Sequence, residues 1–229
     1  MLKRILFNLP STLLLTLVLF HIAFAQNERK VAYGILIDNT GSLRTQFSEV
    51  SMISKEIVEL AHQRGPISLC NFKTQGDERT PLAIATSGTE WSQDKNLFER
   101  YIDSLFVVPG RTTLMDAINS VAEQVSTKAN LDKDTFGDKI IFLITDGEDT
   151  ASTIKEKQLI KTLKESGIKV YAVGLIKELN NYEETLFHRS KRERAIGFLE
   201  KITKETGGRA VFLKSKKDVS SLLNELFIP

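Results

Sequence analysis

The chain of 229 residues is 41% hydrophobic and 26% charged, which predicts one folded domain of ordinary composition. Its formal net charge of +2 comes from Lys3 and Arg4; without them the basic residues equal the 29 acidic ones, so nothing indicates a nucleic-acid-binding surface. The single cysteine, Cys70, excludes an internal disulfide, and within Ile67-Ser68-Leu69-Cys70-Asn71-Phe72 it reads as a small apolar strand residue rather than a reactive thiol.

Residues 1–25 have the form of a signal peptide: Lys3 and Arg4 at the start, a mostly aliphatic run over 13–20, and Ala23-Phe24-Ala25 as the small-x-small cleavage pattern. Cleavage makes Gln26 the first residue and sends residues 26–229 as a single domain to a periplasm or beyond the cell. The membrane is then met only through the transient leader. The alternative is an uncleaved anchor, but the apolar run falls short of the ~20 residues of a spanning helix and His21 interrupts it. Residues 26–229 suffice to bury roughly 70% of the unfolded surface around one core.

After a polar lead-in, Val31-Ala32-Tyr33-Gly34-Ile35-Leu36-Ile37 is continuously apolar and short, the mark of a strand buried on both faces of a parallel sheet. Between 45 and 64, Val50, Ile53, Ile57, Leu60 and Ala61 repeat at helical spacing until Gly65 and Pro66 stop the helix. Residues 67–73 form a second strand, and 81–86 a third, placed at an edge because Pro81 opens it. Leu97, Tyr101 and Leu105 mark a short helix, and Leu114, Ile118, Val121, Ala122 and Val125 a firmer one. Residues 128–138 read as a polar loop.

The stretch 139–145 is another apolar strand. Thr153 and Glu156 then stand as a capping box for a helix that runs to Gly167. Residues 168–175 are a buried strand and 177–194 a charged insertion. Ile196, Leu199 and Ile202 line a helix closed by Gly207-Gly208. Residues 209–213 make the last strand, and a final helix carries Leu222, Leu223, Leu226 and Phe227. Six strands alternate with helices, so the fold class is α/β: a Rossmann-like, doubly wound, mainly parallel six-stranded sheet with helices on both faces.

The chemistry collects at strand ends. Asp38, Thr40 and Ser42 follow the first strand at i, i+2 and i+4 in a turn with Gly41, so a compact loop offers three oxygen ligands to a hard cation. Thr112 lies in Gly110-Arg111-Thr112-Thr113-Leu114-Met115-Asp116-Ala117, and Asp146 ends the 139–145 strand in Asp146-Gly147-Glu148-Asp149. Loops at the carboxyl ends of neighbouring strands converge on one crevice, which would gather Asp38, Thr40, Ser42, Thr112 and Asp146. Asp38 or Thr40 alone reads as a helix N-cap, and Thr112 or Thr113 as a cap of the Leu114 helix; the five positions together read as a metal site. Asp116 stands either behind the ligands or as a first-turn acid favoured by the helix dipole. Glu148 and Asp149 read as exposed loop acids.

These residues resemble the metal-ion-dependent adhesion site of von Willebrand factor type A (VWA) domains, in flavour the bacterial secreted kind. That pattern is Asp-x-Ser-x-Ser, then a distant Thr and a distant Asp, with Thr40 in place of the first Ser. The resemblance covers residues 26–229, including Thr206-Gly207-Gly208-Arg209. It implies Mg2+ (or Mn2+) held by Asp38, Thr40, Ser42, Thr112 and Asp146, and a protein partner whose acidic side chain completes the shell. With neutral hydroxyls and only two acids the cation stays electrophilic. The expected function is therefore a non-catalytic, metal-dependent binding or adhesion module rather than an enzyme.

Two other functions compete. A haloacid-dehalogenase-like, magnesium-dependent phosphohydrolase also puts Asp after its first strand, but needs a second Asp as general acid where this chain has Thr40. The other competitor is a structural assembly subunit whose metal only holds loops together. Asp132-Lys133-Asp134-Thr135-Phe136-Gly137 resembles a calcium loop but fails, with Phe136 at a ligand position and Leu143 where the closing Glu belongs. His188 to Arg194 is either a solvated basic loop or a docking surface for an acidic partner, and His62 reads as a packing residue near a helix end.

Overall fold

A computed structural model describes residues 29–75, 82–179, 190–213, 221 and 223. The leader at residues 1–25 and most of the final helix therefore lie outside the described residues.

Seven strands form one sheet: β1 (Lys30–Ile37), β2 (Ile67–Gln75), β3 (Leu82–Ser87), β4 (Arg111–Thr112), β5 (Phe136–Thr145), β6 (Ile168–Gly174) and β7 (Ala210–Phe212). Among the described residues they are accompanied by the helices α1 (Phe47–Ala61), α2 (Lys95–Ser104), α3 (Leu114–Leu131), α4 (Glu156–Glu165) and α5 (Lys191–Glu205). A 3-10 turn over Gly41–Gln46 leads into α1. The strand order is β4-β3-β2-β1-β5-β6-β7, and every neighbour pair is parallel except β2 with β3. The six expected strands are all present. The addition is the two-residue β4, which pairs Arg111 with Leu82 and Thr112 with Ala83, so the outermost strand is β4 and the edge expected at β3 is covered over its first two residues.

Alternation along β1 explains why the sheet is covered on both faces. Ala32 and Leu36 face a cluster with Leu114, Ile118 and Val121 of α3, Leu159 of α4 and Leu199 of α5. Tyr33, Ile35 and Ile37 face another, with Val50 and Ile53 of α1 and Phe98 of α2; the buried Leu223 joins this face. Each fully buried aliphatic side chain contributes about 1.5–3 kcal/mol. Phe142 on β5 sits between Tyr33 and Tyr171, with ring centroids 6.1 and 5.8 Å away.

Several boundaries differ from expectation, among them the charged insertion expected over 177–194: Lys191 to Arg194 are helical and open α5, while His188 lies outside the described residues. The helix α3 continues to Leu131 because Ala129, four residues past Val125, keeps the same face buried, and β5 starts at Phe136, which pairs with Lys30; the loop expected at 128–138 is correspondingly short. The capping box expected at Thr153 and Glu156 does not form. Lys155 is the N-cap residue of α4, without a side-chain cap bond. A full capping box instead opens α5, where the Ser190 hydroxyl accepts from the Glu193 amide at 3.2 Å and the Glu193 carboxylate accepts from the Ser190 amide at 2.9 Å. The stop at Gly207-Gly208 is as expected: Gly207 has φ +80° and the Gly208 amide donates to the Thr203 carbonyl at 2.8 Å.

The chain leaves β1 toward β2 on one side and returns to its other side as β5. The carboxyl ends of β1 and β5 therefore flank the switch point at which open α/β sheets form their crevice. The register places Ile37 beside Ile144, so Asp38 emerges next to Thr145 and Asp146. Close approach of α3 to β1 depends on Gly34, where a Cβ would stand 2.5 Å from Val121 Cγ1 and 2.9 Å from Val125 Cγ2. Gly34→Ala is expected to cost about 1–3 kcal/mol by overpacking, read as a lower urea midpoint at unchanged slope.

Candidate functional site

The loop after β1 is organised around the Asp38 carboxylate. Its Oδ1 accepts from the Thr40 amide at 2.9 Å and the Thr40 hydroxyl at 2.6 Å; its Oδ2 accepts from the Thr145 hydroxyl at 2.6 Å. Thr40 occupies the N-cap position of the 3-10 turn but makes no side-chain cap bond; its hydroxyl donates back to Asp38 instead. Having donated that proton, the Thr40 oxygen keeps its lone pairs, and the Ser42 hydroxyl lies 3.3 Å from it. Asp38 and Thr40 are buried, whereas Ser42 is exposed, so this cluster opens to solvent on the Ser42 side.

Asp146 closes the cluster from β5. Its Oδ1 accepts from the Glu148 amide at 2.9 Å, and the nearby Ser42 hydroxyl favours its charged form. Its Oδ2 is buried and has no hydrogen-bond partner. Burial, and then the charge of Asp38, push the Asp146 carboxyl up to about 7, and burial likewise raises Asp38 despite the donors from Thr145 and Thr40. The turn that follows needs glycine. Gly147 has φ +82°, its amide donates to the Thr145 hydroxyl at 3.0 Å, and a Cβ there would meet Ala195 and Leu199 at 3.1 Å.

Thr112 reaches this edge through its main chain. Its carbonyl accepts from the amides of Thr150 and Ala151 at 2.9 and 3.0 Å, and its amide donates to the Thr150 hydroxyl at 2.9 Å. Asp38, Thr40, Ser42 and Asp146 thus gather directly, and Thr112 is fastened to the loop that Asp146 begins. Among the described residues no three His, Cys, Asp or Glu side chains gather as a metal cluster. The present set has a different composition, two carboxylates with hydroxyls. An all-oxygen donor set of this kind suits a hard divalent cation, and the orphaned Asp146 Oδ2 is where a buried carboxylate lacks a positive partner.

Several supporting residues escape a linear reading. Thr145 becomes visible only once β1 and β5 are paired in register. Asp149 and Glu148 are not the exposed acids expected. The Asp149 carboxylate accepts from the Met115 amide at 3.3 Å and the Ser152 hydroxyl at 2.5 Å, while Glu148 is half-buried and paired with Lys191 at 3.1 Å. Asp116 is neither a mere first-turn acid nor free. It accepts from the Thr153 and Ile154 amides, each at 2.9 Å, and from the Thr153 hydroxyl, so the Thr153 amide that a capping box would give to Glu156 goes to Asp116 instead. The Ser152 hydroxyl in turn accepts from the Asp116 amide at 3.1 Å. The first turn of α3 is therefore capped by the loop that carries Asp146, and the two loops are locked reciprocally.

The model of the von Willebrand factor type A domain matches residues 34–225, and the chain belongs to that family. No curated protein sequence matches it. Similar solved structures include the pilus adhesin SpaC from Lactobacillus rhamnosus GG in its open conformation, at TM-score 0.57 and 15% identity over 88% of this chain and 30% of the adhesin. Proximal thread matrix protein 1 of the mussel byssus gives 0.58 and 16% over 87% of this chain and 48% of that one. Manganese-loaded TRAP protein of Plasmodium vivax gives 0.55 and 15% over 88% and 74%. At these identities the likeness is one of fold. The chain spans less than half the length of the adhesin and of the thread protein.

Asp116→Ala removes several hydrogen bonds to a carboxylate and is expected to lower stability by about 2 kcal/mol in denaturant melts. The carboxyl of Asp146 also makes a pH prediction. Its folded value of about 7 exceeds the ordinary 3.8, so its contribution to stability is full below about 4 and is lost as pH rises toward 7. In chelator, the melting temperature of wild type should fall across that window relative to Asp146→Asn; parallel profiles for the two proteins would contradict the assignment.

Proposed function

We propose that this protein is a non-catalytic, metal-dependent protein-binding module acting outside the cytoplasm, with Asp38, Thr40, Ser42, Thr112 and Asp146 holding Mg2+ or Mn2+. The observation that carries this reading is the Asp146 Oδ2, buried without a hydrogen-bond partner next to a second buried carboxylate. Two such groups repel, and a buried polar atom without a partner costs about 1–3 kcal/mol. A divalent cation relieves both. Family membership supports the reading, as does the manganese carried by a protein of similar fold.

The residues divide the work. Thr145 and Thr40 hold the Asp38 carboxylate in place by donating to both its oxygens, while Thr40 and Ser42 supply neutral oxygens from one turn. Asp146 presents its free oxygen from the neighbouring strand. When bound, Mg2+ or Mn2+ would supply an electrophilic position that a carboxylate on another protein can take in place of water. The exposed Ser42 side of the cluster is where such a partner approaches. Export rests on the leader-like residues 1–25, and the balance of charge beyond them gives nucleic acid no purchase.

Titration with Mn2+ tests this. The wild-type protein should bind one ion, Asp38→Ala and Ser42→Ala should lose at least tenfold in affinity, and all three should keep their folded circular-dichroism spectra. Equal binding by all three removes the proposal. Turnover of a generic phosphate ester that is abolished by Asp38→Asn would replace it with phosphoryl hydrolysis.

A further inference from the structure

Among the described residues only two large hydrophobic side chains stand well exposed, Phe106 at 72% and Leu131 at 80%. Leu131 ends α3, at the opposite end of the helix from the turn that adjoins the site. Phe106 is different, because its backbone is fastened to the metal-facing loop. The Asn39 side chain uses both ends of its amide: its Nδ2 donates to the Phe106 carbonyl at 2.8 Å and its Oδ1 accepts from the Phe72 amide at 3.0 Å. Two residues on, the Val108 amide donates to the Asn39 carbonyl at 2.7 Å, and Val108 pairs with Thr40 as a parallel bridge. Asn39 is itself buried and lies between Asp38 and Thr40 in the chain.

Beside Phe106 lies a cleft of about 270 Å3, lined by Asn39, Asn71, Tyr101, Leu105 and Val108 as well as Phe106 itself. Its polar floor is already satisfied, since the Tyr101 hydroxyl donates to Asn71 Oδ1 at 2.5 Å and Asn71 Nδ2 donates to the Phe72 carbonyl at 2.8 Å. What the cleft offers an incoming group is therefore chiefly apolar wall. Its volume is below the ~300 Å3 at which sites for whole small molecules begin, and it suits a single side chain. Asn39, the residue between Asp38 and Thr40, lines the cleft, and successive Cα atoms lie about 3.8 Å apart, so a few residues of one extended segment span from that turn to the cleft.

We infer that the Phe106 cleft is a second subsite of the binding edge, and that the partner segment carries an aromatic or aliphatic side chain a few residues from its metal-seeking acid. This rests on the proposed binding reading and deepens it by stating what must flank the acid. Asn39 acts as the positioning residue. It holds the Phe106 backbone in place before any partner arrives, which reduces the ordering cost of association. An acid at the cation gives little discrimination among acidic proteins, whereas a fixed apolar subsite rejects those without a matching neighbour.

The probe is a random peptide display library selected on the full chain in Mn2+, and separately on Phe106→Ser and Phe106→Leu. Wild type should enrich an acidic residue with an aromatic or aliphatic residue at a fixed short spacing. Phe106→Ser should keep the acid and lose the apolar position, and Phe106→Leu should keep both. A synthetic peptide from the wild-type pool should bind Phe106→Ser about tenfold more weakly, with Mn2+ affinity and melting temperature unchanged. Enrichment of the acid alone, or an apolar preference that survives in Phe106→Ser, overturns the subsite and leaves the metal reading in place. Pools that are the same with and without chelator overturn both.

Discussion

Two carboxylates buried at adjacent strand ends are the constraint on which this structure turns. Asp38 and Asp146 leave β1 and β5 at the switch point of the sheet, where the parallel register puts them side by side, and burial works against the charge of each. A fold governed only by its own stability would place an amide or an apolar side chain there. This one surrounds Asp38 with donors from Thr40 and Thr145 and leaves an oxygen of Asp146 unsatisfied. The arrangement is tolerable because the rest of the sheet is so thoroughly covered, with α1 and α2 on one face and α3, α4 and α5 on the other.

Holding three loops in one place needs more than strand register. Strands fix where Asp38 and Asp146 emerge, but Thr112 arrives on a connection with only two residues of sheet pairing. The lock between α3 and the loop after β5 makes up the difference. Asp116 reaches from the helix to the amides of Thr153 and Ile154; Asp149 and Ser152 reach back to the amides of Met115 and Asp116. Amides that would otherwise be unpaired at a helix start become the attachment points of the neighbouring loop. Each half of the lock satisfies the other's backbone, so Thr112 and the Asp146 loop are set as one unit.

Most of the architecture was legible from the residues because its signals are local. Short apolar runs, helical spacing and terminal glycines each depend on a few neighbours, and the six expected strands all appear. So does the grouping of Asp38, Thr40, Ser42 and Asp146, since acids and hydroxyls after apolar strands leave few alternatives once the strands are parallel. What was not legible depends on partners far away in sequence. The Thr153 and Glu156 pattern satisfies the local rule for a capping box, yet a carboxylate at Asp116, invisible to that rule, claims the Thr153 amide and hydroxyl first. Asp149 looked like a surface acid for the same reason, since it reaches the Met115 amide on α3. Thr145 resembled any strand-end threonine until pairing with β1 gave it Asp38.

Burial across the site gives it a direction. Asp38, Thr40, Thr112 and Asp146 are enclosed, while Ser42 is exposed and Phe106 stands out on the adjoining connection. The enclosed groups are held by hydrogen bonds at the sheet's end, and the exposed ones form its solvent-facing rim. Asn39 joins the two regions, because its side chain binds Phe72 of the sheet and Phe106 of the rim while its chain neighbours belong to the enclosed cluster. A displacement of the rim is therefore a displacement of the turn that carries Thr40. The enclosed cluster and the exposed rim are thus tied together by the few hydrogen bonds that Asn39 makes through its side chain and its carbonyl.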